Sequence, residues 1–322
     1  MKRLFSIVVP IYQNEANIPD TISRLLALEE RLLGWNIELV CVDDGSTDNS
    51  YKLLEQHAAQ HVGKIKLVKL TRNFGQTPAI QAGLHHAAGN CVGIISADLQ
   101  EPCEMFVDML QAWDQGTKFV IGERQAREEN WWHRKISSIY WSLVRRHAFA
   151  DFPSMGYDFC LLDRQVVNDI NRINEKNSSI FVLIFWLGYK PVRLPVARRL
   201  RDKGTSQWRF LSKISFTVDT LIGFTYLPAR AITLLGFSTA LLSLIYLTFV
   251  LTQWFLFHGT PLGWMTVVGL VILLGAMVLF SLGIVSEYLL RILDESRKRP
   301  PYVVEDLTIN SVNEDNSDIG GI

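Results

Sequence analysis

The sequence is poor in the features that would place it in several large classes. Cysteine is scarce: Cys41, Cys91, Cys103 and Cys160 are the only four in 322 residues, and no two form a C-x-x-C pair. That spacing disfavours a zinc site, and the apolar runs around most of them read as buried thiols of a reducing compartment. Net charge is absent as well. The 32 Lys and Arg balance the 32 Asp and Glu, which argues against a nucleic-acid binder. Glycine (21) and proline (11) are too few for a collagen-like or low-complexity chain. The most informative absence is local: no Asp, Glu, Lys or Arg occurs from Ala231 to Ser286. A bilayer span needs about 20 apolar residues. This stretch holds two, over about 231–257 and 264–286, with a short turn between them. The apolar run before Gln13 is too short for a signal peptide, so the chain ahead of the spans is expected to stay cytoplasmic.

The remainder is organised differently. Short, β-branched, nearly continuous apolar runs at 5–11, 37–42, 65–70, 91–95 and 118–121 read as strands covered on both faces. Helical patterns lie near 17–33, 48–60, 76–88 and 104–115, with Thr47 or Asp48 as the cap of the second. This alternation predicts a doubly wound α/β domain with a parallel sheet, and a ligand crevice at the carboxyl ends of its strands. The domain covers 1–206. A juxtamembrane region with an amphipathic, interfacial pattern covers 207–229, the apolar hairpin 230–290 and a polar tail 291–322. Residues 124–147 read as a basic and aromatic helix, and 157–163 as another strand. Eight basic residues and only Asp202 of opposite sign occupy 189–213, and Arg291, Arg297, Lys298 and Arg299 follow the second span. The positive-inside rule therefore puts both flanks on the cytoplasmic side. The acidic segment from Tyr302 reads as a terminus without structure.

Four short strings carry candidate chemistry. Val42-Asp43-Asp44-Gly45-Ser46-Thr47-Asp48 follows the second strand. A turn with a capping Asp explains Asp48, whereas two adjacent carboxylates at a strand end suit hydrogen bonds to a base or a ribose. Ser96-Ala97-Asp98-Leu99-Gln100 closes the fourth strand, where Asp98 either caps a helix or, with Gln100, binds a hard cation. Asp158, between Tyr157 and Phe159, is a partnered buried acid or an edge residue facing water. Arg72-Asn73-Phe74-Gly75 holds a base or phosphate, or closes a turn. The basic segments suit an anionic membrane surface, and Arg124, far ahead of the spans, suits a phosphate. The histidines show no metal-ligand spacing.

Together and in this order, Val8-Val9-Pro10-Ile11-Tyr12, Asp43-Asp44-Gly45-Ser46, Arg72-Asn73-Phe74-Gly75, Ala97-Asp98-Leu99-Gln100 and Asp158-Phe159 resemble the family-2 glycosyltransferases of GT-A fold. With two C-terminal spans, the chain is similar to the polyisoprenyl-phosphate glycosyltransferases, and among them to the bactoprenol glucosyltransferases of O-antigen modification. The resemblance implies a cytoplasmic GT-A catalytic domain on a multi-pass hairpin in a bacterial inner membrane. It also implies a UDP-sugar donor, an undecaprenyl phosphate acceptor, Mg²⁺ or Mn²⁺, and a homotetramer. Residue by residue, it assigns the nucleotide pocket to Pro10, Tyr12, Glu15, Asp43, Asp44, Arg72 and Asp98. It assigns the metal to Asp98 and Gln100, catalysis to Asp158, and the lipid phosphate to Arg124, Arg134, Ser138 and Arg201. The chain departs from the family pattern at Ser96, where Asp is frequent, and at Gln207, where Lys is frequent. The sugar, implied to be glucose, stays open to mannose, GlcNAc or an aminoarabinose derivative. A membrane adaptor that senses nucleotide sugars without turnover is the non-enzymatic alternative.

Overall fold

A computed structural model describes residues 3–124, 151–153, 157–173, 175, 178–196, 227–257 and 264–309. The chain divides into two compact units, Met1–Lys213 with Pro300–Ile322, and Ile214–Arg299.

The first unit is built on one sheet. Its strands are β1 (Arg3–Ile11), β2 (Trp35–Asp43), β3 (Ile65–Leu70), β4 (Cys91–Ile94), β5 (Phe119–Arg124), β6 (Cys160–Asp163), β7 (Val192–Val196) and β8 (Val304–Ile309). Helices α1 (Ile18–Ala27), α2 (Ser50–Gln60), α3 (Gln76–His86) and α4 (Phe106–Asp114) connect the first five, and α5 (Arg164–Ile170) and α6 (Ile180–Trp186) connect β6 to β7. The strand order is β7-β5-β6-β4-β1-β2-β3-β8. Pairing is parallel from β4 through β1 and β2 to β3, as expected of strands buried on both faces. The sheet is nevertheless mixed, which corrects the expectation of a parallel sheet. β6 runs antiparallel to both β4 and β5, and β8 runs antiparallel to β3. The long segment between β5 and β6 lets the chain return in either direction, so alternation alone does not set the direction of β6.

The sheet core is dense. Phe5, Ile7, Val9, Leu39, Phe106 and Phe159 are fully or almost fully buried, and the Phe106 and Phe159 rings meet at 4.8 Å. The four cysteines are free and buried; burial alone pushes the Cys41 thiol up to about 12. At the end of the sheet where β1 and β3 begin, Lys66 pairs with Glu38 at 3.0 Å. Glu38 also accepts from Ser6 and from Ala88 N–H, which is the added hydrogen bonding that a largely buried ion pair requires.

Chain direction places the opposite edge. The carboxyl ends of β1–β5 and β7 and the amino ends of β6 and β8 share it. Strands leave β1 toward β2 and β3 on one side and β4 on the other, so the topological switch point lies between β1 and β4. The chain also ends β7 and begins β8 at this edge.

The second unit contains α7 (Leu227–Phe257) and α8 (Trp264–Ser296). Thr239 Oγ1 lies 3.3 Å from Met277 Sδ between them. Large apolar side chains remain uncovered, with Phe255 75% and Leu279 71% exposed. Ser238, Thr239, Thr248, Thr252 and Ser281 donate to carbonyls four residues back, so their hydroxyls need no water. Among the described residues, Leu273–Ser296 is long and apolar enough to cross a membrane, and Ile232–Tyr246 is a shorter apolar helix.

The segment from Tyr302, read from sequence as a terminus without structure, instead supplies strand β8. The open edge of β3 explains it, with Val304 and Leu307 brought into phase by the register shift between Lys69 and Leu70.

Candidate active site

Four loops meet at the crevice edge, and hydrogen bonds join them. After β1, Gln13 N–H donates to Ser46 Oγ at 3.0 Å and Asn14 N–H to Ser50 Oγ at 2.9 Å, so the β1 and β2 loops are one structure. After β4, Ala97 O accepts from Thr21 Oγ1 of α1 at 2.6 Å. Gln13 and Leu99 hold positive φ angles of 47° and 43°. Such strain in non-glycine residues persists only where the surroundings impose it, and it clusters at functional sites.

The adjacent carboxylates at the end of β2 do different work. Asp44 accepts Phe74 N–H at 2.7 Å and Gly75 N–H at 2.8 Å, one on each oxygen. It thereby shapes the Arg72–Gly75 turn. Asp43 is 1% exposed and accepts Ser46 N–H at 3.1 Å on one oxygen; its Oδ1 has no hydrogen-bond partner among the described residues. A buried, unmatched carboxylate oxygen is costly, and a ligand N–H or O–H would satisfy it. Burial raises the Asp43 carboxyl above its ordinary range, against the hydrogen bond from Ser46. Burial pushes Asp44 up to about 6, although the Phe74 and Gly75 amides favour its charged form.

Gly45 makes this junction possible. Its φ is 67°, and a Cβ there would lie 2.4 Å from the Arg72 carbonyl carbon. The Arg72 side chain is exposed and stacks on Phe74, its Cζ 4.1 Å from the ring centroid. Pro10, one residue before the end of β1, pairs with Val42, and Tyr12 follows the strand, half-buried. The Glu15 carboxylate accepts Asn49 N–H at 2.9 Å on one oxygen. Asn49, not Thr47 or Asp48, stands at the N-cap of α2, and Asp48 accepts the N–H of Ser50, the first helical residue, at 3.1 Å.

Beyond β4, Ser96 Oγ lies 2.7 Å from Asp98 Oδ1 and 3.2 Å from Glu101 Oε2. Asp98 is half-buried, and Gln100 and Glu101 are buried. Glu101 was not singled out from the sequence, although it sits in the same string. No group of three His, Cys, Asp or Glu among the described residues is placed to hold a metal. Asp98 and Gln100, the residues expected to bind a cation, stand in this one loop, with Gln100 N–H 3.5 Å from Asp98 Oδ1.

Asp158 stands at the entrance of β6. Its neighbours are anchored: Tyr157 OH donates to Phe181 O at 2.5 Å, and Phe159 is buried. Asp158 itself is half-buried. Arg124 ends β5 in register with Val196. The topology therefore brings Tyr12, Asp43, Asp44, Arg72, Asp98, Arg124 and Asp158 to one edge. Arg134, Ser138 and Arg201, the juxtamembrane pattern over 207–226 and Gln207 lie outside the described residues.

A mixed sheet of this order, with carboxylates and arginines brought to one edge, is that of a GT-A-like α/β domain. Comparison with known proteins makes the assignment specific. Residues 6–170 match the model of the glycosyl transferase family 2, and the chain belongs to that family. It is 34% identical over 303 residues to the uncharacterized glycosyltransferase sll0501 of Synechocystis, covering 94% of this chain and 95% of that one. It is 30% identical to an undecaprenyl-phosphate 4-deoxy-4-formamido-L-arabinose transferase of Shewanella sediminis, over 94% of this chain and 92% of the other. It is 28% identical to the bactoprenol glucosyl transferase of Shigella phage SfV, over 93% and 97%.

Proposed function

We propose that this glycosyltransferase moves a sugar from a UDP donor to undecaprenyl phosphate, with inversion, at the cytoplasmic face of a bacterial membrane. The observation that carries the donor half is the pair Asp43 and Asp44. One is spent on shaping the Arg72 turn, and the other has a buried oxygen that no described residue satisfies, a position that a ligand N–H or O–H would fill once the loops admit it. The acceptor half is supported by relatives whose names specify bactoprenol or undecaprenyl phosphate and which match over nearly their whole length.

In this reading Asp43, with Pro10 and Tyr12 beside it, receives the base and ribose, and Arg72 faces the donor's negative charge. Asp98 and Gln100 would hold Mg²⁺ or Mn²⁺, which when bound neutralises charge on the departing diphosphate. Asp158 orients the acceptor for attack on the anomeric carbon. The acceptor's phosphate monoester has a second pKa of about 6 and is already largely ionised, so a strong base is not required. Arg124, Arg134, Ser138 and Arg201 form the proposed lipid-phosphate site. The engagement of Glu15 with Asn49 makes it a wall of the β1 loop rather than a direct nucleotide ligand.

The apolar unit fits this chemistry. The acceptor's tail stays in the bilayer, so its phosphate reaches an enzyme only at headgroup level. Helices α7 and α8 supply an uncovered apolar surface with self-satisfied hydroxyls. We read them as a two-span hairpin with both flanks cytoplasmic. Glucose is the proposed sugar. A donor panel tests this: UDP release from UDP-glucose, UDP-GlcNAc and a UDP-aminoarabinose derivative is measured with and without undecaprenyl phosphate. Acceptor-dependent release from UDP-glucose is expected. Release from another donor alone reassigns the sugar, and release from none overturns the reading.

A further inference from the structure

Strand β8 has no part in the chemistry above. It follows the apolar helix α8 after residues 297–303 and closes the open edge of β3. Its contacts are concentrated on the elements that lead into the donor loops. Val303 O accepts Thr71 N–H at 3.1 Å, one residue before Arg72. The register steps from Lys69–Asp306 to Leu70–Val304, which leaves Glu305 between them with its carboxylate 2.9 Å from Lys69 Nζ. Asp306 accepts from Tyr51 OH at 2.9 Å. Tyr51 lies in the first turn of α2, beside Ser50, to which the Asn14 amide donates. The Lys69 ammonium lies 4.9 Å from the Tyr51 ring centroid, and its charge favours the ionised form of Asp43.

A strand that only protected an edge from association would need main-chain pairing and nothing else. β8 instead reaches both supports of the donor pocket: β3, which runs into the Arg72–Gly75 turn, and α2, which starts at the Asp43–Ser50 loop. We propose that β8 is a positioning strap for the donor pocket. Residues 303–309, delivered from the far end of the apolar helix, hold β3 and α2 so that the two turns keep their nucleotide-receiving arrangement. Tyr51, Glu305 and Asp306 are then positioning residues that act through Lys69 and the two turns. This rests on the donor-pocket reading. Its consequence is that donor affinity depends on the chain that follows the membrane helix.

The test uses the full chain in nanodiscs, a chain ending at Tyr302, and a control ending at Asn310. UDP affinity is measured together with amide exchange over residues 71–75. The chain ending at Tyr302 should bind UDP about tenfold more weakly and exchange the Thr71, Phe74 and Gly75 amides faster; the control should match the full chain. Excess peptide of sequence 302–310 should restore both by pairing with the open edge. A folded chain ending at Tyr302 that binds UDP within about twofold of the full chain, with unchanged exchange, overturns the strap. Should that chain not fold, the Tyr51→Phe, Glu305→Gln double variant decides. Weaker UDP binding with faster exchange at 71–75 supports the proposal, and unchanged values overturn it. Failure of the intact chain to bind UDP removes the donor-pocket reading instead, a different result from loss of the strap.

Discussion

Asp43 and Asp44 show how far residue types alone lead. Two carboxylates after a strand are visible in the sequence as chemistry. Their division of labour is not, because it depends on which neighbouring amides each side chain meets. Asp44 meets Phe74 and Gly75, thirty residues on, through a turn that Gly45 admits. A pH dependence follows. The Asp44 carboxyl is raised from its ordinary value to about 6 in the folded chain, chiefly by burial. Stability from this group is thus fully present below about pH 4 and is lost as pH rises through about 6. Removing the charge should therefore cost less at high pH. The difference in melting temperature between the parent and Asp44→Asn should be larger at pH 5 than at pH 7.5, and an equal difference would argue against the buried, raised carboxyl. At Asp158, Asp158→Asn should abolish most turnover while UDP affinity stays near the parent value. Unchanged turnover would remove Asp158 from the chemistry.

The parallel strands were legible because burial on both faces writes continuous β-branched runs, and β1 to β5 lie where those runs predict. The antiparallel course of β6 was not legible, since a long connection permits either direction. β8 was hidden by Glu305 and Asp306, two adjacent charges at a register shift that breaks the apolar alternation of an exposed edge. Both acids have partners only the fold supplies, Lys69 and Tyr51. Two substitutions separate support from site. Gly45→Ala places a methyl group 2.4 Å from the Arg72 backbone. The strain is expected to cost about 1–3 kcal/mol and to weaken UDP binding, read by denaturant midpoint and titration calorimetry. Glu38→Ala leaves the Lys66 ammonium without its carboxylate at the opposite end of the sheet. It should destabilise the chain by about 3 kcal/mol while UDP affinity per folded molecule stays unchanged. Equal effects of both substitutions on UDP affinity would show that the donor pocket is not local to the crevice edge.

Across the whole molecule, charge distribution says more than net charge. Balanced totals conceal one stretch without charges and basic flanks on either side of it. The uncovered apolar helices and the return of the chain to its first sheet fit an enzyme whose acceptor never leaves the bilayer. Leu279→Arg, in the middle of the apolar segment of α8, should cost about 2.5–3.5 kcal/mol of insertion and lower the carbonate-resistant membrane fraction. No change would argue against Leu273–Ser296 as a span. The most direct measurement is transfer of radiolabelled glucose from UDP-glucose to undecaprenyl phosphate by the purified full chain, with Mg²⁺, Mn²⁺ or EDTA. A labelled, organic-extractable product that EDTA abolishes and that Asp158→Asn fails to make is the predicted result. UDP binding without any lipid-linked product from this or another UDP-sugar would contradict the account and point to a nucleotide-sugar-sensing adaptor.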